Sequence, residues 1–187
     1  MNILALDTST DACSVALLMG ETVIEDFIVA PQQHAQLLLP MIDKLLADNP
    51  VELDAIAFGR GPGSFTGLRI AASVTQAIAF SKNLPVIPVS TLHAIAYNVF
   101  KKTGYRTICA HLDARMGEIY YGIFEVQNEE LVLVGEEQLG QLPPGEWFLA
   151  SDYPHASDIA LLARKEKMVT AEQAIPIYLR NNVVTLR

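Results

Sequence analysis

A pattern of strand, aspartate, turn and strand occurs twice in this chain, and it restricts the fold more than any other feature. Residues 3–18 read ILALDTSTDACSVALL, and residues 108–124 read ICAHLDARMGEIYYGIF. In each segment an apolar run ends at an aspartate, Asp7 or Asp113, and a turn leads into a second apolar run, which is typical of a β-hairpin. The two segments match in pattern rather than identity. A repeat after about a hundred residues predicts two lobes built on one plan.

The segments around the hairpins predict an α/β fold. The first half predicts the order β-β-β-α-β-α-β, in which QQHAQLLLPMIDKLLADNP and SFTGLRIAASVTQAIAFSKN are the helices and ETVIEDFIV, DAIAFG and PVIPVS are strands after the hairpin. In the second half, ELVLV predicts a third strand after the hairpin. We therefore predict a first lobe over residues 1–104 that carries the helices, and a smaller second lobe over residues 105–187.

Composition excludes some classes of function. Hydrophobic residues make up 51% of the 187 residues, so a core can form. The net charge of −8 repels phosphate backbones, so tight binding to nucleic acid by this chain alone would need a local basic patch. The first residues lack the pattern of a signal peptide, and no apolar run approaches the ~18 residues that span a bilayer. A cytoplasmic protein without membrane contact is expected, with Cys13 and Cys109 reduced and buried.

The segment FGRGPGSFTGLRI, residues 58–70, lies between a predicted strand and a predicted helix. A phosphate-binding P-loop needs a lysine after its last glycine, and this chain has Leu68 there. Pro62 also removes one N–H donor from the loop. These departures favour a rigid turn, and anion binding by Ser64 and Thr66 at the helix amino terminus is the alternative. The residues predicted to structure the loop are Gly59, Arg60, Gly61, Pro62, Gly63 and Arg69.

Asp7 and Asp113 are a second candidate site. If the lobes repeat one plan, their turns face each other across a cleft, where two carboxylates could orient a hydrated magnesium ion and a nucleotide. The alternative is that each aspartate caps its own turn. Histidines show no H-x-x-x-H or H-E-x-x-H pair, and no G-x-S-x-G motif is present, so neither metal nor nucleophilic catalysis is indicated.

The two predicted helices indicate association with another protein. Apolar residues cover about 200° of the first helix, whereas burial of one face needs only about 100°. The second helix is rich in small residues, which allow another helix to approach closely. A charged residue at Leu38 or Ile42 is therefore expected to abolish the function of the protein and leave the monomer folded. The alternative is that the additional apolar surface packs under the second lobe. The residues predicted to bind a partner are Leu37, Leu38, Met41, Ile42, Leu45, Gly67 and Ala71.

Several segments together resemble one known family. ILALDTST, ACSVAL, GRGPGSFTGLRI, VSTLHAIA, LDARMGEIYYGIF and PIYLRNN have the composition and the order found in the bacterial TsaB family, also called YeaZ. The glycine motif and DARMGE are highly specific. The resemblance implies two ribonuclease H-like lobes of the actin-like, sugar kinase and Hsp70 superfamily (ASKHA), each repeating β-β-β-α-β-α. The family usually has some tens of residues more between GEIYYGIF and PIYLRNN, so a shortened second lobe is predicted.

The resemblance also implies a role in tRNA modification. TsaB proteins are required for the threonylcarbamoyl group on adenosine 37 (t6A37) of tRNAs that read codons beginning with adenine. The transfer belongs to the paralogue TsaD, which TsaB is expected to activate by forming a heterodimer through its amino-terminal helices. The ATPase TsaE joins this complex, and tRNA is expected to be contacted only through the complex. Homodimers that use the same helices are expected when TsaD is absent.

On this resemblance the chain is a non-catalytic scaffold rather than an enzyme. The segment that corresponds to the metal-binding H-x-x-x-H of TsaD reads STLHAIAY and has one histidine, His93, so no metal site is expected. No cofactor is expected in the isolated protein, and the place implied for ATP or ADP is at or near the heterodimer interface. The alternative function is an actin-like ATPase or small-molecule kinase that uses Asp7 and Asp113 around Mg-ATP.

Overall fold

The first half of the chain forms a five-stranded sheet with two helices on one face. The computed structural model describes residues 1–180, and the last two residues of PIYLRNN, like the end of the predicted second lobe, lie outside them. The elements are β1 (Asn2–Asp7), β2 (Ala12–Met19), β3 (Thr22–Val29), α1 (His34–Asp48), β4 (Ala55–Gly59), α2 (Phe65–Lys82) and β5 (Val86–Val89). The strand order is β3-β2-β1-β4-β5, with β1, β4 and β5 parallel and β2 antiparallel to its neighbours. The predicted order of elements is confirmed.

The second half repeats this plan in a shorter form. Its elements are α3 (Thr91–Thr103), β6 (Thr107–Asp113), β7 (Ile119–Gln127), β8 (Glu130–Gly140), β9 (Phe148–Ala150), α4 (Ala156–Ala163) and a 3₁₀ turn (Ala171–Gln173). The strand order β8-β7-β6-β9 matches the order β3-β2-β1-β4 of the first sheet. The duplication is therefore confirmed. Within the described residues the second lobe has no helix between β8 and β9, so the β-β-β-α-β-α plan is shortened there, as the sequence predicted.

Two helices that the sequence pattern did not predict, α3 and α4, pack across the lobes. α4 follows the second sheet in the chain but covers the face of the first sheet opposite α1 and α2, with Ile159 and Ala160 buried against Ile3 and Ala5. α3 follows the first sheet but packs on the second, where Leu92, Ile95 and Ala96 join the apolar residues of β6 and β7. A boundary near residue 104 therefore separates the two sheets along the chain but not the helices that cover them.

Buried polar contacts fix these two helices. Asp158, fully buried at the start of α4, forms an ion pair with Lys101 of α3 and accepts a hydrogen bond from Asn98 Nδ2 at 2.7 Å. The amino terminus of α4 is held by the first sheet, because Ala156 N donates to Ser14 Oγ (2.9 Å) and Ser157 N donates to Glu25 Oε1 (3.1 Å). An anion at this end of a helix complements the helix dipole. None of the helices in residues 1–180 is both long and apolar enough to cross a membrane.

Candidate functional site

The glycine-rich turn between β4 and α2 packs directly on the turn between β1 and β2. A Cβ on Gly67 would clash with the carbonyl oxygen of Thr8, and one on Gly63 would lie 2.5 Å from the carbonyl oxygen of Ser9. Hydrogen bonds join the two turns: Ser64 N donates to Ser9 O (2.7 Å), and Thr8 Oγ1 donates to Gly67 O (2.7 Å). The glycines therefore allow the close approach of two backbones. These are the contacts of a rigid strand-to-helix turn.

Three N–H groups of the turn, those of Arg60, Ser64 and Gly67, are hydrogen-bonded within the chain. Arg60 N donates to Val89 O (2.8 Å), and Gly67 N donates to the side chain of Ser64, which caps α2. Ser64 and Thr66 are themselves exposed, so their hydroxyl groups face solvent rather than a closed cradle. An anion at this helix end would have to compete with the existing cap. The geometry therefore favours the structural interpretation over the phosphate-binding alternative.

Arg60 and Arg69 have different environments. Arg60 Nη1 lies 3.2 Å from Glu137 Oε2 of β8, and Ser90 Oγ donates to the other oxygen of the same carboxylate. Arg60 thus fixes the glycine turn to the second lobe. Arg69 is exposed on α2, where its guanidinium lies over the ring of Phe65, 3.8 Å from the ring centre. Arg60 therefore has a structural role within the chain, whereas Arg69 lies at the surface.

The two aspartates do not form a pair of catalytic carboxylates. Asp7 is buried, its Oδ1 accepts hydrogen bonds from Ser9 N and Ser9 Oγ at 2.8 Å, and burial raises the pKa of its carboxyl to about 7. Its Oδ2 lies under Gly59, where it has no hydrogen-bond partner within the described residues. Asp113 is exposed, and its Oδ1 accepts from Arg115 N at 2.7 Å. Each aspartate therefore caps its own turn.

The two turns nevertheless line one cleft between the lobes. The cleft has a volume of about 990 Å³ and is lined by residues 9–11, 62–65, 112–116, 120, 151–153 and 177–180. The carboxyl-terminal strap, residues 171–180, closes one side of it: Ile177 N donates to Arg60 O (2.7 Å), and Arg180 Nη2 donates to Glu118 Oε2 (2.7 Å). Asp113 lines this cleft but Asp7 does not. The predicted cleft is present, but the carboxylate of Asp7 is buried beside it rather than exposed to it.

A second, more apolar depression lies between α1 and α2 on the outer surface of the first lobe. We call it the docking groove; it has a volume of about 440 Å³. Leu39 is 55% exposed at one side and Phe65 is 38% exposed at the other. Ser73, a small and exposed residue of α2, also lines the groove. The groove is lined by Ala35, Leu38, Leu39, Phe65, Thr66, Arg69, Ile70, Ser73 and Val74.

Most residues predicted to bind a partner lie in the core instead. Of the seven, Leu37 is partly exposed. The other six are buried, namely Leu38, Met41, Ile42, Leu45, Gly67 and Ala71. The apolar arc of α1 is wide because α1 packs on both β2 and α2. A charge at Leu38, 1% exposed, or at Ile42 would enter the core, so the expectation that such a monomer stays folded is wrong.

His93, the histidine of the STLHAIAY segment, packs inside the second lobe. Its Nε2 donates to Leu131 O at 2.9 Å, and its ring stacks on Phe124 at 5.1 Å between ring centres. Burial lowers the pKa of His93 to about 4, so the ring is neutral near pH 7. In the part of the chain that the structure describes, no three His, Cys, Asp or Glu side chains are grouped to hold a metal ion.

Comparison with known proteins identifies the family. A family model described as "TsaD: tRNA N6-adenosine threonylcarbamoyltransferase" matches residues 28–184. The curated "tRNA threonylcarbamoyladenosine biosynthesis protein TsaB" of Escherichia coli is 38% identical over 98% of this chain and 96% of its own length. The protein of the same name from Haemophilus influenzae is also 38% identical, over 98% of this chain and 95% of its own length. The chain belongs to the TsaB family.

A solved structure supports the same assignment. YeaZ from Pseudomonas aeruginosa superimposes with a TM-score of 0.88, at 39% identity, over 95% of this chain and 99% of that chain. The match to the TsaD model relates the TsaB family to the transferase. The alignment with the E. coli TsaB protein spans 223 positions, more than the 187 residues of this chain, so that relative has residues without a counterpart here.

The TsaB motifs converge on the cleft, whereas the exposed groove residues were missed by sequence reasoning. The glycine turn, the DARMGE turn and the strap all line the cleft. The sequence pattern singles out neither Phe65, Ile70 and Val74 of the groove nor Tyr178 beside it, and it does not distinguish Leu39 from the other apolar residues of α1. A signal was present in α2, which has a second apolar face through Ile70 and Val74 beside the buried face through Gly67, Leu68 and Ala71.

Proposed function

We propose that this chain is a non-catalytic scaffold subunit required for t6A37 formation, and that it acts by forming a heterodimer with the catalytic TsaD paralogue and activating it. Its relatives carry the name of the threonylcarbamoyladenosine biosynthesis protein TsaB. The observation that carries the proposal is the exposed apolar docking groove between α1 and α2. Exposed apolar surface that forms a groove between helices is typical of a binding site for another protein.

The groove suits an apolar helix of the partner. Leu39 and Phe65 project at its two sides, and the small exposed Ser73 on α2 would allow a second helix to approach closely. The buried side chains beneath, such as Leu38 and Ala71, hold α1 and α2 in place. The groove is already formed before a partner binds, and this limits the conformational entropy that is lost on binding.

Activation then follows from mass action. If the groove binds the active conformation of TsaD more tightly than the inactive one, binding shifts the partner toward the active conformation by that difference in affinity. The scaffold needs no reacting group of its own. The buried and turn-capping positions of Asp7 and Asp113 support this proposal over catalysis by the isolated chain. TsaE and tRNA would then be contacted within the assembled complex.

The groove can be tested with one exposed side chain. Leu39→Glu places a charge in the groove, and we expect it to abolish heterodimer formation, because a carboxylate would lose its water on docking. Leu142→Glu is the matched control, because Leu142 is similarly exposed, 45% against 55%, but lies in the second lobe. Light scattering on mixtures with purified TsaD would measure the mass of the complex. A heterodimer of normal affinity with Leu39→Glu would overturn the groove assignment.

The cleft favours a second candidate, an actin-like ATPase or kinase. Its position between the two repeated turns and its volume of about 990 Å³ suit a nucleotide. Isothermal calorimetry on the isolated protein separates the two functions. Magnesium-dependent ATP binding at micromolar affinity that is lost in Asp113→Asn, the aspartate that lines the cleft, would favour the enzyme, whereas ATP binding only in the heterodimer would support the scaffold.

A further inference from the structure

Arg69 is the charged side chain of an otherwise uncharged groove. It lies on α2 at the end of the groove nearest the cleft, beside Phe65 and Thr66. The other residues that line the groove are apolar or carry hydroxyl groups. An apolar groove attracts an apolar helix but does not fix its position along the groove, because sliding the helix by one turn exchanges similar contacts. A charge at one end would distinguish between such positions.

The guanidinium of Arg69 is held in place before any partner binds. Its carbon lies 3.8 Å from the centre of the Phe65 ring, in a cation–π contact. Its Nε donates to Tyr178 Oη at 3.3 Å, and the Tyr178 ring packs on Phe65 with 5.1 Å between ring centres. A long side chain that is already ordered loses less entropy on binding. The strap thus helps to orient the charge of the groove.

Arg69 also has donors free for a partner. Within residues 1–180 no carboxylate lies within 4.0 Å of its guanidinium, and its one hydrogen bond uses Nε, which leaves both Nη atoms available. Among residues 1–180, four other arginines pair with carboxylates, namely Arg60, Arg115, Arg164 and Arg180, whereas the exposed Arg106, like Arg69, has no such pair. The two Nη groups of an arginine form a fork that matches the two oxygens of a carboxylate.

We propose that Arg69 pairs with an aspartate or glutamate on the helix that TsaD lays in the groove, and that this pair fixes the register of docking. The inference rests on the proposed function and specifies its partner surface: an apolar helix face with one carboxylate at the cleft end. The net charge of −8 would otherwise repel an acidic segment, so the attraction must be local. Arginine is also one of the residue types that are enriched among binding hot spots.

The test compares two variants that remove one positive charge from the same helix. Arg69→Met removes it from the groove, and Lys82→Met removes it from the exposed last turn of α2, outside the groove. Affinity for purified TsaD is measured by calorimetry at low and high salt. We expect Arg69→Met to weaken binding by at least about tenfold and to remove most of its salt dependence. Lys82→Met should stay within about twofold of wild type.

Two further variants separate the charge from its geometry. Arg69→Lys keeps the charge without the fork, so we expect weakened binding that still depends on salt. Changing the exposed Asp and Glu residues on the helices of TsaD one at a time to Asn and Gln should identify one residue whose effect disappears in the Arg69→Met background. Thermal melts check that each variant is folded.

The outcomes distinguish this inference from the proposed function. If Arg69→Met binds TsaD like wild type while Leu39→Glu does not bind, the groove is the interface and the inference on Arg69 is wrong. If Arg69→Met weakens only the homodimer, the carboxylate belongs to a second copy of this chain and the inference is again overturned. If neither variant affects binding, the proposed function itself fails.

Discussion

At the scale of single residues, Gly67 shows how the glycine motif acts. We predict that Gly67→Ala destabilises the protein by about 2–3 kcal/mol, because the added methyl group would meet the carbonyl oxygen of Thr8. Helix propensity alone predicts the opposite sign, a gain of about 1 kcal/mol, because Gly67 lies in α2. Urea denaturation would measure the difference. Gly140→Ala is the control, because a Cβ there has no atom within 4 Å, and an equal effect of both would contradict the account.

Asp7 predicts a pH dependence of stability. Burial raises the pKa of its carboxyl from 3.8 to about 7, so between these values the folded protein keeps a proton that the unfolded chain releases. Stability should therefore fall as the pH rises from about 4 to about 7 and should not change further above that range through this group. The group accounts for about 4 kcal/mol over this range.

Asp7→Asn should remove this dependence, because a neutral amide cannot ionise. The free energy of unfolding of the variant, relative to wild type, should therefore rise by about 2–3 kcal/mol between pH 5 and pH 8. Denaturation curves at both pH values give the comparison. Asp113→Asn, at the equivalent exposed turn, should change the two values equally. If the free energies of unfolding of Asp7→Asn and wild type differed by the same amount at both pH values, the raised pKa of Asp7 would be contradicted.

For single residues, the sequence could predict the role of the glycine turn but not the burial of Asp7. The missing lysine after Gly67 and the presence of Pro62 favour a structural turn from the residue types alone, and the hydrogen bonds between the two turns support that interpretation. The burial of Asp7 could not be predicted in this way. It depends on Gly59 of β4 lying over the carboxylate, and no local pattern states which strand will lie beside β1.

At the scale of elements, the contact between α3 and α4, each of which packs on the sheet that it does not follow in the chain, can be tested directly. Lys101→Met leaves the buried carboxylate of Asp158 without its cation, so we expect a loss of about 2–3 kcal/mol. Lys102→Met removes the next residue of the same helix, whose partner Asp152 is 3.9 Å away at the surface, and should cost less than about 0.5 kcal/mol. Equal costs in chemical denaturation would show that the buried ion pair does not hold the helices together.

The elements themselves were largely predictable, but their partners were not. α1 and α2 follow from the spacing of their apolar residues, and the hairpins follow from alternation and turn residues. The assignment of α1 residues to a partner failed because a helix covered on two sides by its own lobe also shows a wide apolar arc. Only the packing separates Leu38, which is 1% exposed, from Leu39, which is 55% exposed.

At the scale of the whole molecule, the two lobes are tied together at several points around one cleft. Glu137 of the second sheet holds Arg60 and Ser90 of the first half, and the strap joins the glycine turn to the DARMGE turn. Phe65 lines both the cleft and the docking groove. The surface proposed to bind TsaD is therefore built on the same turn that joins the lobes.

The central claim is that the chain promotes t6A37 formation by docking rather than by chemistry, and one measurement tests it most directly. In a purified system with TsaD, TsaE, ATP, an activated threonylcarbamoyl donor and substrate tRNA, t6A is quantified with wild type, Leu39→Glu and Leu142→Glu over a range of concentrations. We predict that Leu142→Glu supports normal modification and that Leu39→Glu supports none, except at concentrations high enough to restore the complex. Normal modification with Leu39→Glu where no complex with TsaD is detectable would contradict the claim.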